Sequence, residues 1–540
     1  MRPGLILLFK RITERINKTR QKLFYTKNVT GRYIVFRETL PINDNQILFS
    51  PQQGSSVHGN MYYLIEEAVG RSKYEIYVVS QDHARDKSFF EANNIAVNLV
   101  APDSNDYVHA LATSKYLATD TRFRDYFIKR DEQVMLNTWH GTPLKNLGVD
   151  VPNNIQSLGP VFSHFLFCDF FLFPNNFTME IMSKSYLMNP LYAQKGMVAG
   201  YPRNAAFFSD FDRLSLKREL GIDGKKIYVY MPTFRAQAGN ERCDTHMTRT
   251  EEILRKLDNE INDDTVIFYK SHRYVSKGKK EELPYKHILP FPENLEIYIL
   301  LSLADSLITD YSSVFFDFAC TGREIILFTF DADEYDVYRG LTMPLDVLPF
   351  TRYNTTEELI EHINNNTPFI PGDDYREFQK KYCPYDSAMV PKNINDVFLD
   401  GKPLAGGQMT DYAANKEKAY NVYFISTIHN EEHRDELFKP VFSDPNALLA
   451  IPEKSFEIYG SMLSGPVMSR DIPFIPVRMD TPMTLKEKGF LMLYRRTGLF
   501  KKTARKIMQR EKKRIFPCMS VAGYTDLSDS LLFRDMTQLL

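Results

Sequence analysis

In Asn137-Thr138-Trp139-His140-Gly141-Thr142-Pro143-Leu144-Lys145 an imidazole directly precedes glycine, threonine and proline, next to the chain's one tryptophan. Imidazole is the side chain whose ordinary pKa, about 6.5, lets it accept a proton near neutral pH, so His140 is a candidate general base. Gly141 allows close approach of a substrate to the backbone, and Pro143 stiffens the turn. A buried histidine capping a turn would give the same local pattern. A second group of side chains suits a phosphate. Lys270, His272 and Arg273 fall together in Lys270-Ser271-His272-Arg273 and can neutralise a pyrophosphate whose charge rises as a bond breaks. Thr233 and Arg235 lie in Pro232-Thr233-Phe234-Arg235, where the guanidinium offers a planar fork. Asp310, Ser312 and Ser313 lead into the apolar run Val314-Phe315-Phe316-Asp317-Phe318-Ala319, and a helix starting there would offer free N–H groups and hydroxyls to an anion. Ordinary helix capping is the alternative. No GxGxxG, HExxH or carboxylate cluster accompanies these residues, so neither a dinucleotide cofactor nor a metal is expected.

These residues need elements that bring them together. Gln133-Val134-Met135-Leu136 reads as a short strand, which puts His140 just past its C-terminal end, the edge where open parallel sheets bind ligands. Strands are also expected at Tyr33–Phe36, Gln46–Phe49, Tyr74–Val79, Phe170–Phe173 and Gly196–Ala199, alternating with helix-length segments. The second half repeats the pattern at Lys226–Met231, Thr265–Tyr269, Ser306–Ile308 and Glu324–Phe328. Each of these four runs ends in charged or hydroxyl residues, so a parallel sheet would assemble one polar edge. Two α/β halves with facing edges imply a two-lobed enzyme. Past about residue 395 the rhythm is lost, and Pro403 to Gly407 reads as a linker.

The chain has 540 residues, enough for two to four domains, and its 43% hydrophobic and 25% charged content is that of a folded globular protein. Five scattered cysteines without CxxC spacing argue against disulfides or structural zinc and for a reducing compartment. The net charge of −1 conceals an asymmetry: residues 1–31 carry +7 and residues 485–514 carry +10. Both basic segments hold apolar residues at helical spacing, which suits an anionic membrane surface. No nucleic-acid-binding motif accompanies the charge, and no run reaches the length of a membrane span. A cytoplasmic protein at a membrane surface is the expectation.

The motifs around His140, Gly200-Tyr201-Pro202-Arg203-Asn204, Pro232-Thr233-Phe234-Arg235, Lys270-Ser271-His272 and Thr309-Asp310-Tyr311-Ser312-Ser313 resemble those of the CDP-glycerol glycerophosphotransferases of teichoic acid and capsule synthesis. The resemblance covers about residues 45–395. It implies a GT-B-like fold of two Rossmann-like lobes and metal-independent transfer of a polyol phosphate from a CDP-polyol donor to a lipid-linked or polymeric acceptor, at the inner face of the membrane. By the same resemblance His140 is the base and His272 a second catalytic histidine. Arg273, Asp310, Ser312 and Ser313 fall at the family's donor-binding positions; Thr233, Arg235 and Lys270 are expected at the same donor edge, and Gly141 and Thr142 on the acceptor side. The expected organisation is an arm (1–31), an acceptor lobe (32–210), a donor lobe (211–398) and an extension (399–540). The family pattern is departed from where Arg339-Gly340 is followed by Leu341-Thr342-Met343-Pro344, and where Leu348-Pro349-Phe350 lacks a glycine, in a loop expected near the donor. A GT-B hexosyltransferase and a non-catalytic scaffold are the competing readings.

Overall fold

The computed structural model describes residues 29–151, 158–233, 241–270, 285–331, 340–365, 367–426, 431–455, 472–528 and 530–540. The first lobe is built on β1 (Asn43–Ser50), β2 (Glu75–Val79), β3 (Asn98–Val100), β4 (Ser114–Thr119), β5 (Val134–Asn137), β6 (Phe170–Phe173) and β7 (Lys195–Val198). They pair in parallel in the order β3-β2-β1-β4-β5-β6-β7. The order reverses between β1 and β4, so a crevice opens beyond their C-terminal ends. β5 ends three residues before His140.

The second lobe contains β8 (Lys226–Met231), β9 (Thr265–Tyr269), β10 (Ile288–Pro290), β11 (Ser306–Thr309), β12 (Glu324–Phe328) and β13 (Thr351–Tyr353). All are parallel, in the order β10-β9-β8-β11-β12-β13. Every residue of β11 and β12 is buried, as expected of strands covered by helices on both faces. The switch point falls between β8 and β11, whose ends carry Thr233 and Asp310.

Tyr33–Phe36 is not a strand. It lies within the helix Val29–Thr39, which packs on the helix Asn105–Thr113. The buried Tyr33 hydroxyl there donates to the Ile128 carbonyl and accepts from its N–H, both at 3.0 Å. Aromatic and β-branched content is a weak prior, and this tertiary anchor overrides it.

The chain beyond residue 395 is also more ordered than its sequence suggests. The helix Val390–Asp400 crosses back onto the first lobe, where Arg71 pairs with Asp396 and Asp400 at 2.8 and 2.6 Å. β14 (Gln408–Asp411) then adds to the first sheet antiparallel to β7. A third sheet follows, formed by β15 (Ala419–Phe424), β16 (Ala447–Pro452), β17 (Phe474–Val477) and β18 (Ser520–Asp526). It is parallel throughout, in the order β17-β16-β15-β18. Its apolar core is continuous with one face of the first sheet: Leu48 and Phe171 belong to the same buried cluster as Phe424 and Phe533. The neighbouring Ile47 and Phe49 face the other way, into the cluster shared with the second lobe. The alternation of β1 thus holds the first lobe between its two neighbours.

Candidate functional site

Three adjacent strands of the first lobe converge on His140. The loop after β1 contributes Gln52, whose N–H donates to the buried Asp120 carboxylate at 2.7 Å. Asp120 follows β4, and its backbone carbonyl lies 2.9 Å from His140 Nδ1. A carbonyl can only accept, so Nδ1 carries the proton and Nε2 keeps its lone pair. The tautomer needed for a base is therefore fixed by the backbone.

His140 is open to solvent on one side, yet its ring packs on the Trp139 indole and against the Asp120 carbonyl. This desolvation lowers its pKa below the ordinary value and the Arg203 charge lowers it further, against the opposing hydrogen bond to Asp120. The ring stays neutral at pH 7. Burial acts oppositely on the Asp120 carboxyl and raises its pKa to about 7.

Trp139 supplies the local strain. Its φ is +51°, in the left-handed region that bulky residues avoid. The Asn137 carboxamide accepts the Trp139 N–H at 2.8 Å, and Asn60 Nδ2 donates to the Trp139 carbonyl at 3.2 Å. The indole is buried against Phe165 and Tyr186, with the imidazole 4.0 Å away between ring centroids. These contacts hold a backbone turn that aims His140 out of the sheet.

The second lobe meets this loop directly. A Cβ at Gly141 would fall 2.5 Å from Ser313 Oγ, so the absent side chain is what lets the two motifs touch. Ser312 and Ser313 are half-buried at the start of the helix Val314–Phe318, and Ser313 makes no side-chain capping bond. Capping therefore does not account for that hydroxyl. The helix is only five residues long before a 3-10 turn, so the hydroxyls weigh more here than the helix dipole. Asp310 is buried and its carboxylate accepts the Thr233 N–H at 2.9 Å, which locks the ends of β8 and β11 together. Lys270 projects from the end of β9, with Nζ 5.2 Å from the Phe291 ring centroid. Thr142 is buried, and its hydroxyl accepts from the Thr178 hydroxyl at 3.4 Å, which ties it to its own lobe. Arg235, His272 and Arg273 lie outside the described residues.

Sequence reading did not single out Arg203 as functional, yet it joins the lobes. Its guanidinium donates to the His140 carbonyl at 2.9 Å and to Asp317 at 2.7 Å, and Tyr298 donates to the same carboxylate at 2.9 Å. Burial disfavours the Arg203 charge most strongly, but Asp317, Tyr298 and Tyr201 together outweigh that cost and raise its pKa. Glu296 makes a second buried tie, accepting from Gly59 N–H at 3.0 Å and the Tyr63 hydroxyl at 2.6 Å. The loop expected near the donor makes a third: Thr342 N–H donates to the Leu144 carbonyl at 2.8 Å, and Lys145 pairs with Leu341 as an antiparallel bridge. The segment that departs from the family pattern thus clamps the chain just beyond His140.

A family model described as CDP-Glycerol:Poly(glycerophosphate) glycerophosphotransferase matches residues 33–399. The teichoic acid poly(glycerol phosphate) polymerase of Bacillus spizizenii is 27% identical over 385 residues, covering 68% of this chain and 95% of that protein. The Bacillus subtilis protein of the same description is 27% identical over 416 residues, but this chain spans only 52% of its length. The solved wall teichoic acid polymerase TagF aligns with a TM-score of 0.57 and 20% identity, covering 73% of this chain and 98% of that one. At that identity the likeness concerns the fold, which is GT-B-like. The third sheet lies beyond the matched range.

Proposed function

The chain belongs to the CDP-glycerol:poly(glycerophosphate) glycerophosphotransferase family, and we propose that His140 is the base of its transfer step. The enzyme is a CDP-polyol phosphotransferase that moves glycerol phosphate from CDP-glycerol to a hydroxyl of a polymeric acceptor. The acceptor oxygen attacks the polyol-bearing phosphorus in line, its proton passes to His140 Nε2, and the bond to CMP breaks. The observation that carries this assignment is the Asp120 carbonyl at Nδ1, which leaves Nε2 as the only site for the proton. A positioned base contributes about 10²–10⁴-fold in rate.

In this reading Ser312, Ser313 and Lys270 face the donor, and Arg235, His272 and Arg273 complete the neutralisation of the departing CMP. Thr233 and Asp310 brace that edge. Positive charge then comes from side chains, and EDTA is expected to leave turnover unchanged. No helix among the described residues is long and apolar enough to cross a membrane. The basic first 31 residues support a peripheral location at the inner membrane face, where a lipid-linked acceptor of wall or capsule polymer would be met. Incubation with CDP-glycerol, CDP-ribitol and UDP-sugars, scored by nucleotide release, tests the reaction. CMP release with a polyol donor is expected. UDP release alone would overturn it in favour of hexosyl transfer.

A further inference from the structure

The third unit carries a helical hairpin, Leu485–Thr497 and Lys501–Ile515, whose two ends differ in kind. Its base is fixed. Thr484 and Glu487 form a reciprocal capping box, and Arg510, almost fully buried, donates to Glu487 at 2.9 Å and to the Pro482 carbonyl at 2.9 Å. The second helix is tied to the first lobe, Lys506 to Glu38 at 3.0 Å and Lys513 to Asp131 at 2.6 Å. Five of the twelve cations of 485–514 (Arg495, Lys506, Arg510, Lys513 and Arg514) are thus engaged with carboxylates.

The tip is the opposite. Gly498-Leu499-Phe500 turns sharply, with φ of +72° at Gly498 and +64° at Phe500. Leu499 is 60% exposed, Phe500 46%, Met492 48% and Leu493 43%. Arg496, Lys501, Lys502 and Arg505 flank them along the chain, and all four are exposed. Half-exposed large apolar side chains at a left-handed turn, with Phe500 stacked on Phe490 at 4.6 Å and exposed cations beside them in sequence, match a surface that is apolar within and anionic at its boundary. A second constraint agrees. Glu38 lies in the last turn of the helix Val29–Thr39, which is about 16 Å long at 1.5 Å per residue. The hairpin is thus anchored on the first helix of the described chain, whose N-terminal residue Val29 directly follows the basic stretch in sequence.

We propose that the 498–500 tip of this hairpin inserts into the headgroup region of an anionic bilayer and sets the height of the catalytic crevice above it. This deepens the peripheral-membrane reading and rests on it. A polyanionic acceptor would be held by the cations but would give no reason to expose Leu499 and Phe500. A second copy of the chain would bury the apolar residues while bringing like charges together.

The test uses the full chain with Phe500→Trp, since the natural Trp139 is buried and serves as an internal constant. Vesicles of phosphatidylglycerol and phosphatidylcholine should shift the emission to the blue, and brominated lipids should quench it. Leu499→Ser/Phe500→Ser and Lys501→Glu/Lys502→Glu should each lower sedimentation with those vesicles by about tenfold or more. CMP release with a water-soluble acceptor should be unchanged in both, which separates membrane docking from the chemistry. Unshifted, unquenched emission from the Phe500→Trp variant in the presence of vesicles overturns the proposal. So does binding to polyphosphate in place of vesicles, or a dimer on light scattering that the serine variant abolishes.

Discussion

Arginine and lysine gather in two places in this chain, and the two obey opposite physics. At the crevice floor one guanidinium, Arg203, is 7% exposed, stacked over Tyr201 and Tyr298, and spends its donors on Asp317 and the His140 carbonyl. At the hairpin tip, four cations stand in solvent beside exposed Leu499 and Phe500. A buried cation with fixed partners becomes part of the scaffold. An exposed one describes the surface it meets.

The largest effect should come from the group that the buried cluster positions. His140→Ala is expected to cut kcat by about 10²–10⁴-fold while leaving CDP-glycerol binding by calorimetry nearly intact. A variant with wild-type turnover would remove His140 from the mechanism. In the wild type, the lowered His140 pKa places the acid limb of kcat/KM below pH 6.5, because the protonated ring cannot accept the acceptor proton.

Next in size is the clasp itself. Arg203→Met strands a buried carboxylate and should cost about 3–5 kcal/mol in urea unfolding. Arg203→Met/Asp317→Leu should recover most of that stability but not turnover, since the His140 carbonyl has still lost its donor. Full recovery of both would make the pair a packing feature and nothing more.

A smaller change is expected at Asp120. Asp120→Asn keeps the backbone carbonyl that sets the His140 tautomer, so kcat/KM should move by no more than about threefold. Stability should respond instead. The carboxyl ionises near 7 when folded against an ordinary 3.8, so the native state holds its proton longer. That contribution is complete below pH 3.8 and is lost as pH rises through about 7. Unfolding followed from pH 4 to 8 should show this decline in the wild type and a flatter curve in the asparagine variant.

Salt gives the finest separation of the two regions. Raising NaCl from about 0.05 to 0.5 M should release the protein from anionic vesicles, while changing the stability that depends on Arg203 by less than about 0.5 kcal/mol. Equal sensitivity of the two would erase the distinction drawn between them.

Much of the fold could be read from the chain because strand ends announce themselves. Apolar runs such as Thr265–Tyr269 and Glu324–Phe328, closed by polar residues, form strands in their predicted places. Tyr33–Phe36 misled because its composition suits a strand while a buried hydroxyl pair holds it as helix. The third sheet went unread because its fourth strand pairs with its first across the long hairpin, so no local rhythm survives.

His140 was legible from residue type and its place after a strand, and that much the sequence determined alone. So too were the hydroxyls of Ser312 and Ser313, the uneven distribution of charge and the membership of the family. Tertiary structure alone decided what His140 can do. Its Nδ1 partner lies 20 residues away, its carbonyl's donor 63, and that donor's carboxylate a further 114. Burial and pairing are properties of the packed chain, and they determine which cations are scaffold and which stay exposed at the surface.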